Sequence, residues 1–399
     1  MTSPATPASP ATPAATTRRH DLDWLRIIAI LILLFYHTGM IYVSWGWHIK
    51  SAEHSRAMEE VMRWLHRWRM PLLFFISGAG TFFALRRPGR RFGTYGSYAG
   101  ERFRRLFIPL AFGMFVIVPP QIYIEWLFRG RFTGTYLDFY PEVFRFQPYK
   151  DGGTGGAFSW HHLWFICYLF FYSLLSIPVF RWLRGERGQR LTDRIGQLIR
   201  RRGGALWLVV PLWLNDLALG GFFPRETHGL IDDWAYFIKN LLLFWYGYLL
   251  ISRRDFWQVV ADQRRLYLMA TLLSTVLLYG SRGFLTDEAI EASTLTRTLY
   301  SFNSIALTWF SVLASVGYGY RYLNIDNPIL PHLTAAVYPF YILHQTVIVL
   351  IGYWVLTHLN LGVWGGFWFV SLTSGAVCIV LYWFLIRPVK PLRVVFGVK

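Results

Sequence analysis

Ten apolar stretches, each near the ~20 residues that a helix needs to cross a bilayer's hydrocarbon core, run through the chain. They lie at roughly 24–43, 69–86, 105–127, 163–180, 205–223, 234–252, 265–281, 298–318, 333–357 and 362–386. Pro71, Pro109, Pro119, Pro211 and Pro339 interrupt them, and Trp, Tyr and Phe are frequent throughout. Such residues are tolerated inside membrane bundles and are poor material for soluble core helices. Only 16% of the chain is charged, against about 25% in soluble globular proteins. The chain therefore reads as an all-α, polytopic integral membrane protein of about ten spans. Cys167 and Cys378 both fall inside apolar runs, which removes a disulfide framework and a cysteine-based metal site from consideration.

Residues 1–20 form a Ser/Thr/Pro/Ala-rich tail, with nothing to bury before Arg18 and Arg19, which predicts disorder. Residues 21–390 make one transmembrane domain, and 391–399 a short basic tail. The net charge of +18 resembles that of a nucleic-acid binder, but its distribution argues otherwise. With the N-terminus inside, 26 of the 40 basic residues fall on the cytoplasmic side and 12 on the other. Charge thus reports topology, with both termini cytoplasmic, and its default partner is anionic lipid rather than nucleic acid.

An ionisable side chain at mid-bilayer costs at least about 2.5–3.5 kcal/mol on insertion scales, so each is a functional candidate. Arg26 begins the first run, and His37 follows eleven residues on, about 16 Å deeper. Similar arithmetic puts His344 and Asp216 at comparable depth. Two imidazoles and a carboxylate at one depth could form an acid–base cluster; each could equally be a buried group hydrogen-bonded across helices.

Each membrane face adds a second group. Arg102, Arg104 and Arg105 stand at the mouth of the third run, Arg102 and Arg105 sharing a helix face. Guanidinium forks suit phosphate oxygens, although the inside-positive belt places arginines there as well. On the outer side, Ser159, His161, His162 and Trp164 in SWHHLWF, with Glu125, suit a sugar-stacking site or the ordinary aromatic belt.

The stretch LDWLRIIAILILLFYHTG carries an arginine, ten residues and a histidine, and RWRMPLLFFISG, RFRRLFIPL, HHLWFICYLFFYSLL and YPFYILHQTVI follow in order. Together these resemble the membrane acyltransferase family 3 over roughly residues 20–390. VSWGWHIKS and the domain-free ending are most similar to the glucan biosynthesis protein C branch, which succinylates periplasmic glucans.

The resemblance implies transfer of an acetyl or succinyl group from cytoplasmic acyl-CoA to a hydroxyl of a cell-envelope or periplasmic carbohydrate, at the inner membrane. It makes His37 the essential histidine and Arg26 its partner. It gives the donor to Arg102 and to Arg104 or Arg105, and it adds Tyr338 beside His344. No attached domain with a Ser-His-Asp set is present, so a two-stage relay within the chain is not expected. A thioester needs no metal for attack, and no metal is expected. The competing reading is a proton-coupled transporter or flippase, with the mid-membrane groups as proton relays. Paired half-helices would favour it, and no such internal symmetry is visible.

Overall fold

The structure is a computed structural model that describes residues 19–86, 95–150, 154–224 and 226–398. Nearly all of the expected tail lies outside the described residues, as do Arg87, Arg90, Arg91 and Arg225. Among the described residues every regular element is a helix, apart from a single bridge between Pro148 and Phe158. All ten apolar runs are helical. Seven helices are long and apolar enough to span a membrane: His20–Tyr42, Arg56–Leu85, Tyr95–Phe128, Trp234–Ile251, Thr294–Tyr322, Leu330–His358 and Gly362–Ile386. An eighth arises if His161–Leu175 and Ile177–Arg184, which meet at 45°, count as one broken span.

Seven or eight of the ten expected spans are thus long and apolar enough among the described residues, and the other two runs fall short of that standard. Gly204–Leu219 is helical but short. Arg264–Phe284 has the length but is less apolar on average than the seven, and the face opposite its buried Tyr267, Thr271, Ser274 and Leu278 is apolar. That face exposes Met269, Leu272, Leu273, Val276 and Leu277, and the last long helix exposes Trp364, Trp368, Leu372 and Phe384. Apolar surface on this scale needs a lipid or protein partner. The protein is an all-helical, polytopic membrane protein.

The first helix is central, packing against Arg56–Arg86, Thr294–Tyr322, Leu330–His358 and Gly362–Leu381. Eleven residues make just over three whole turns, so Arg26 and His37 lie on one face of it. Arg56–Arg86 and Trp234–Ile251 approach by reciprocal glycines: a Cβ on Gly78 would lie 1.9 Å from the Phe244 carbonyl oxygen, and one on Gly247 1.9 Å from that of Phe75. Small residues permit such backbone contact between membrane helices.

The third long helix is irregular for a reason legible in its sequence. Proline donates no hydrogen bond and crowds the preceding turn. Wide π-helical turns at Phe103–Phe107 and Gly113–Ile117 precede Pro109 and Pro119 and absorb that crowding. Beyond them, Pro119–Phe128 presents Gln121 and Glu125 to the interior, both fully buried.

Candidate active site

His37 lies in the last turn of the first helix, and its Nδ1 is 2.8 Å from Nε2 of His344, in the middle of Leu330–His358. Hydrogen-bond chemistry fixes the protons. His344 Nδ1 is 2.6 Å from the Tyr341 carbonyl oxygen, which only accepts, so Nδ1 carries the hydrogen. His344 Nε2 is then a lone pair, and it accepts from His37 Nδ1–H. The lone pair of His37 is left on Nε2, which has no hydrogen-bond partner among the described residues. His37 is half-buried, with the Trp47 ring 6.4 Å away at 22°, so this nitrogen is reachable.

A second chain of bonds leads from His344 toward the loops. The ring of His162 meets His344 edge to face at 5.3 Å, and its Nε2–H donates to the Ile342 carbonyl at 3.0 Å. Tyr341 donates to the His162 carbonyl in return. Gln121 Nε2 donates to Thr346 Oγ1 at 2.7 Å, and its Oε1 accepts from Gln345 Nε2 at 3.0 Å. Gln345 also donates to His48 Nε2 at 3.1 Å, so His48 carries its hydrogen on Nδ1 and donates to Glu125 at 2.6 Å. Arg129 Nε at 3.0 Å and the Tyr149 hydroxyl at 3.0 Å also bond the carboxylate. Lys50 fastens the intervening loop by donating to the carbonyls of Met40 and Val43, and burial pushes its amine down to about 8.

At the opposite end of the first helix, Arg26 lies 3.7 Å from Asp23 and within electrostatic reach of Arg102. Arg102 and Arg105 flank Glu101 at 3.8 and 3.4 Å, and Arg102 Nε is buried with no partner among the described residues. The Tyr338 hydroxyl donates to the Arg105 carbonyl at 2.9 Å. A guanidinium cluster therefore stands at one end of the helix face whose other end is His37.

A family model described as an acyltransferase domain matches residues 19–384. The chain belongs to the acyltransferase 3 family. It is 22% identical over 389 residues to glucans biosynthesis protein C of Escherichia coli strain K12, covering 92% of this chain and 91% of that protein. The same identity holds over 385 residues with the protein of that name from Escherichia coli O1:K1 / APEC, with the same coverage. No solved structure matches. As a member of the acyltransferase 3 family the chain is an acyl-transferring enzyme.

Placed in this acyltransferase, the sequence candidates divide. His37 and His344 form one hydrogen-bonded pair, His162 touches it, and Glu125 and His161 belong to the His48 group. Asp216 does not join them: its carboxylate accepts from Ser301, and the shared-depth cluster of three is corrected to a histidine pair. Depth along a helix says nothing about which way a side chain faces. Arg104 is exposed, whereas Arg102 and Arg105 are half-buried. Trp164 stacks on His228 at 4.1 Å, in a separate polar group where burial pushes that histidine down to about 4.

His161 has a φ of 40°, bonds Ser159 Oγ at 2.6 Å, and lies with its ring 4.8 Å from His48. Ligand atoms of His48, Glu125 and His161 fall within 4.8 Å of one another, a spacing that a metal ion could bridge. Glu125 is already neutralised by Arg129, a cation that would repel a second one.

Sequence reasoning missed His48, Gln121, Gln345 and Arg69. His48 sits in a loop without periodicity, and its only signal was the WGWHIK segment between two apolar runs.

Proposed function

We propose that this enzyme is an O-acyltransferase of the inner membrane that moves an acyl group from acyl-CoA to a hydroxyl of a cell-envelope carbohydrate. The donor's phosphates dock on Arg102 and Arg105 beside Arg26, at the cytoplasmic end, and its pantetheine arm runs along the first helix toward His37. The acceptor enters at the end built from His48, Glu125 and Tyr149. Glucans are the acceptor class suggested by the name of the Escherichia coli relatives.

The observation that carries this reading is the free lone pair on His37 Nε2, held there by His344. Nε2 takes the proton of the acceptor hydroxyl as oxygen attacks the thioester carbon, a role typically worth 10²–10⁴-fold in rate. The proton then passes to the leaving thiolate. His344 keeps the tautomer and orients the ring, as a carboxylate does for the histidine of a hydrolase triad.

The test is acyl transfer in membrane preparations, with envelope glycans of gene-bearing and gene-deleted cells compared by mass spectrometry. A His37→Ala protein that is folded and fully active would sink the assignment, as would glycans of unchanged mass.

A further inference from the structure

Arg69 lies within the Arg56–Arg86 helix and is only 5% exposed. Its guanidinium covers the ring of Tyr36, the neighbour of His37, with Cζ 3.4 Å from the centroid. The Tyr36 and His37 rings are 5.5 Å apart, and Arg69 is within electrostatic reach of His37 itself. The tyrosine is fixed in turn, its hydroxyl 3.1 Å from Nδ1 of His66. Arg69 Nε and Nη1 are buried and have no hydrogen-bond partner among the described residues. They lie on different edges of the guanidinium, so each offers a site to a single oxygen. The local carboxylate, Glu226, is engaged by His66 at 3.0 Å and Lys239 at 3.5 Å. A guanidinium stays charged in a protein, and a buried charge needs a partner. Acyl transfer creates one: the thioester oxygen is neutral at rest and becomes an anion when its carbon is attacked.

We propose that Arg69 is a further catalytic residue, whose unpartnered N–H groups hold the oxyanion of the tetrahedral intermediate. This rests on the acyl-transfer reading above and deepens it. The acceptor hydroxyl oxygen bonds to the thioester carbon, its proton goes to His37 Nε2, and the carbonyl electron pair moves onto oxygen beside Arg69. The pair then returns, the carbon–sulfur bond breaks, and the thiolate takes the proton from Nε2. The reacting atoms need room between the two groups: about 3 Å from hydroxyl oxygen to thioester carbon, and about 3 Å from the oxyanion to its donor. One tyrosine ring of separation provides that room, whereas a cation bonded directly to His37 would fill it. Because the charge that satisfies Arg69 exists only after attack, the buried guanidinium favours the transition state over the bound donor.

Purified protein in detergent, given acetyl-CoA or succinyl-CoA with and without a glucan oligosaccharide, tests this through free thiol release and product mass. For whichever thioester the wild type uses, Arg69→Met should lower kcat at least about 100-fold, with donor and acceptor KM within about threefold and Arg69→Lys in between. Hydrolysis of the donor without glucan should fall by the same factor, since attack by water forms the same oxyanion. The wild type answers alone if Arg69→Met does not fold. A coenzyme A derivative with an anionic, tetrahedral phosphonate in place of the acyl carbonyl should bind to it at least about 100-fold more tightly than the thioester. Hydrolysis unchanged in Arg69→Met, a raised donor KM at constant kcat, or a phosphonate held no better than the thioester would each overturn the role of Arg69 and leave acyl transfer standing. A wild-type protein that neither transfers nor hydrolyses either thioester would overturn both readings.

Discussion

His344 accepts a hydrogen bond from His37 across 2.8 Å, and this contact joins the first helix to a residue 307 positions away. Because the Tyr341 carbonyl holds the far side of the His344 ring, the pair has one proton arrangement. His344→Phe should lower kcat about 100-fold by releasing the His37 tautomer, with donor KM nearly constant. His344→Gln should retain more activity, since an amide oxygen still accepts from Nδ1. Steady-state kinetics of the two variants would check this.

The donor end should separate the three arginines. Arg102→Ala and Arg105→Ala should each raise the acyl-CoA KM about tenfold, equivalent to ~1.4 kcal/mol of binding. Arg104 is exposed, and Arg104→Ala should change it less than twofold.

Glu125 is fully buried between His48 and Arg129. Removing one partner of a buried charge group usually costs about 3–5 kcal/mol. Glu125→Ala should cost about 3, near the low end because Arg129 is 33% exposed, and Glu125→Gln less. Thermal unfolding in detergent would measure both.

Gly247 has no room for a side chain against the Phe75 carbonyl, so Gly247→Val should cost at least about 3 kcal/mol by the same measurement. Gly280, where a Cβ would meet nothing within 4 Å, is the contrast: Gly280→Ala should be neutral or gain up to about 1 kcal/mol in helix propensity.

Lys50 offers a pH test. Burial disfavours its charged form and lowers its pKa to about 8. At pH 8 about half of it is free amine, against less than about 1% for an ordinary lysine. Amine labelling followed by peptide mass spectrometry should show Lys50 reacting first, with a midpoint near pH 8 that rises in any variant exposing the loop.

The fold was readable because membrane spans are written in contiguous apolar residues, and all ten runs are helices. Two of the runs are weaker as spans, since Gly204–Leu219 is short and Arg264–Phe284 is less apolar on average than the seven long helices. The Arg26–His37 spacing put both residues on one face of the first helix, because eleven residues bring the chain back to the same side. His48 was invisible for the opposite reason: a loop residue gains meaning only from what the loop folds against. Arg69 was equally hidden: it opens the 69–86 run, and only the fold shows that it is buried against the ring of Tyr36.

The two wide turns before Pro109 and Pro119 reach beyond the prolines themselves. Each takes up one residue more than a regular turn, and one residue corresponds to about 100° of rotation around a helix axis. Every side chain downstream is therefore turned relative to an unbroken helix, and Gln121 and Glu125 face the histidines because of it. A one-residue insertion or deletion between Phe103 and Pro119 would keep the apolar length intact while swinging the buried carboxylate away from His48.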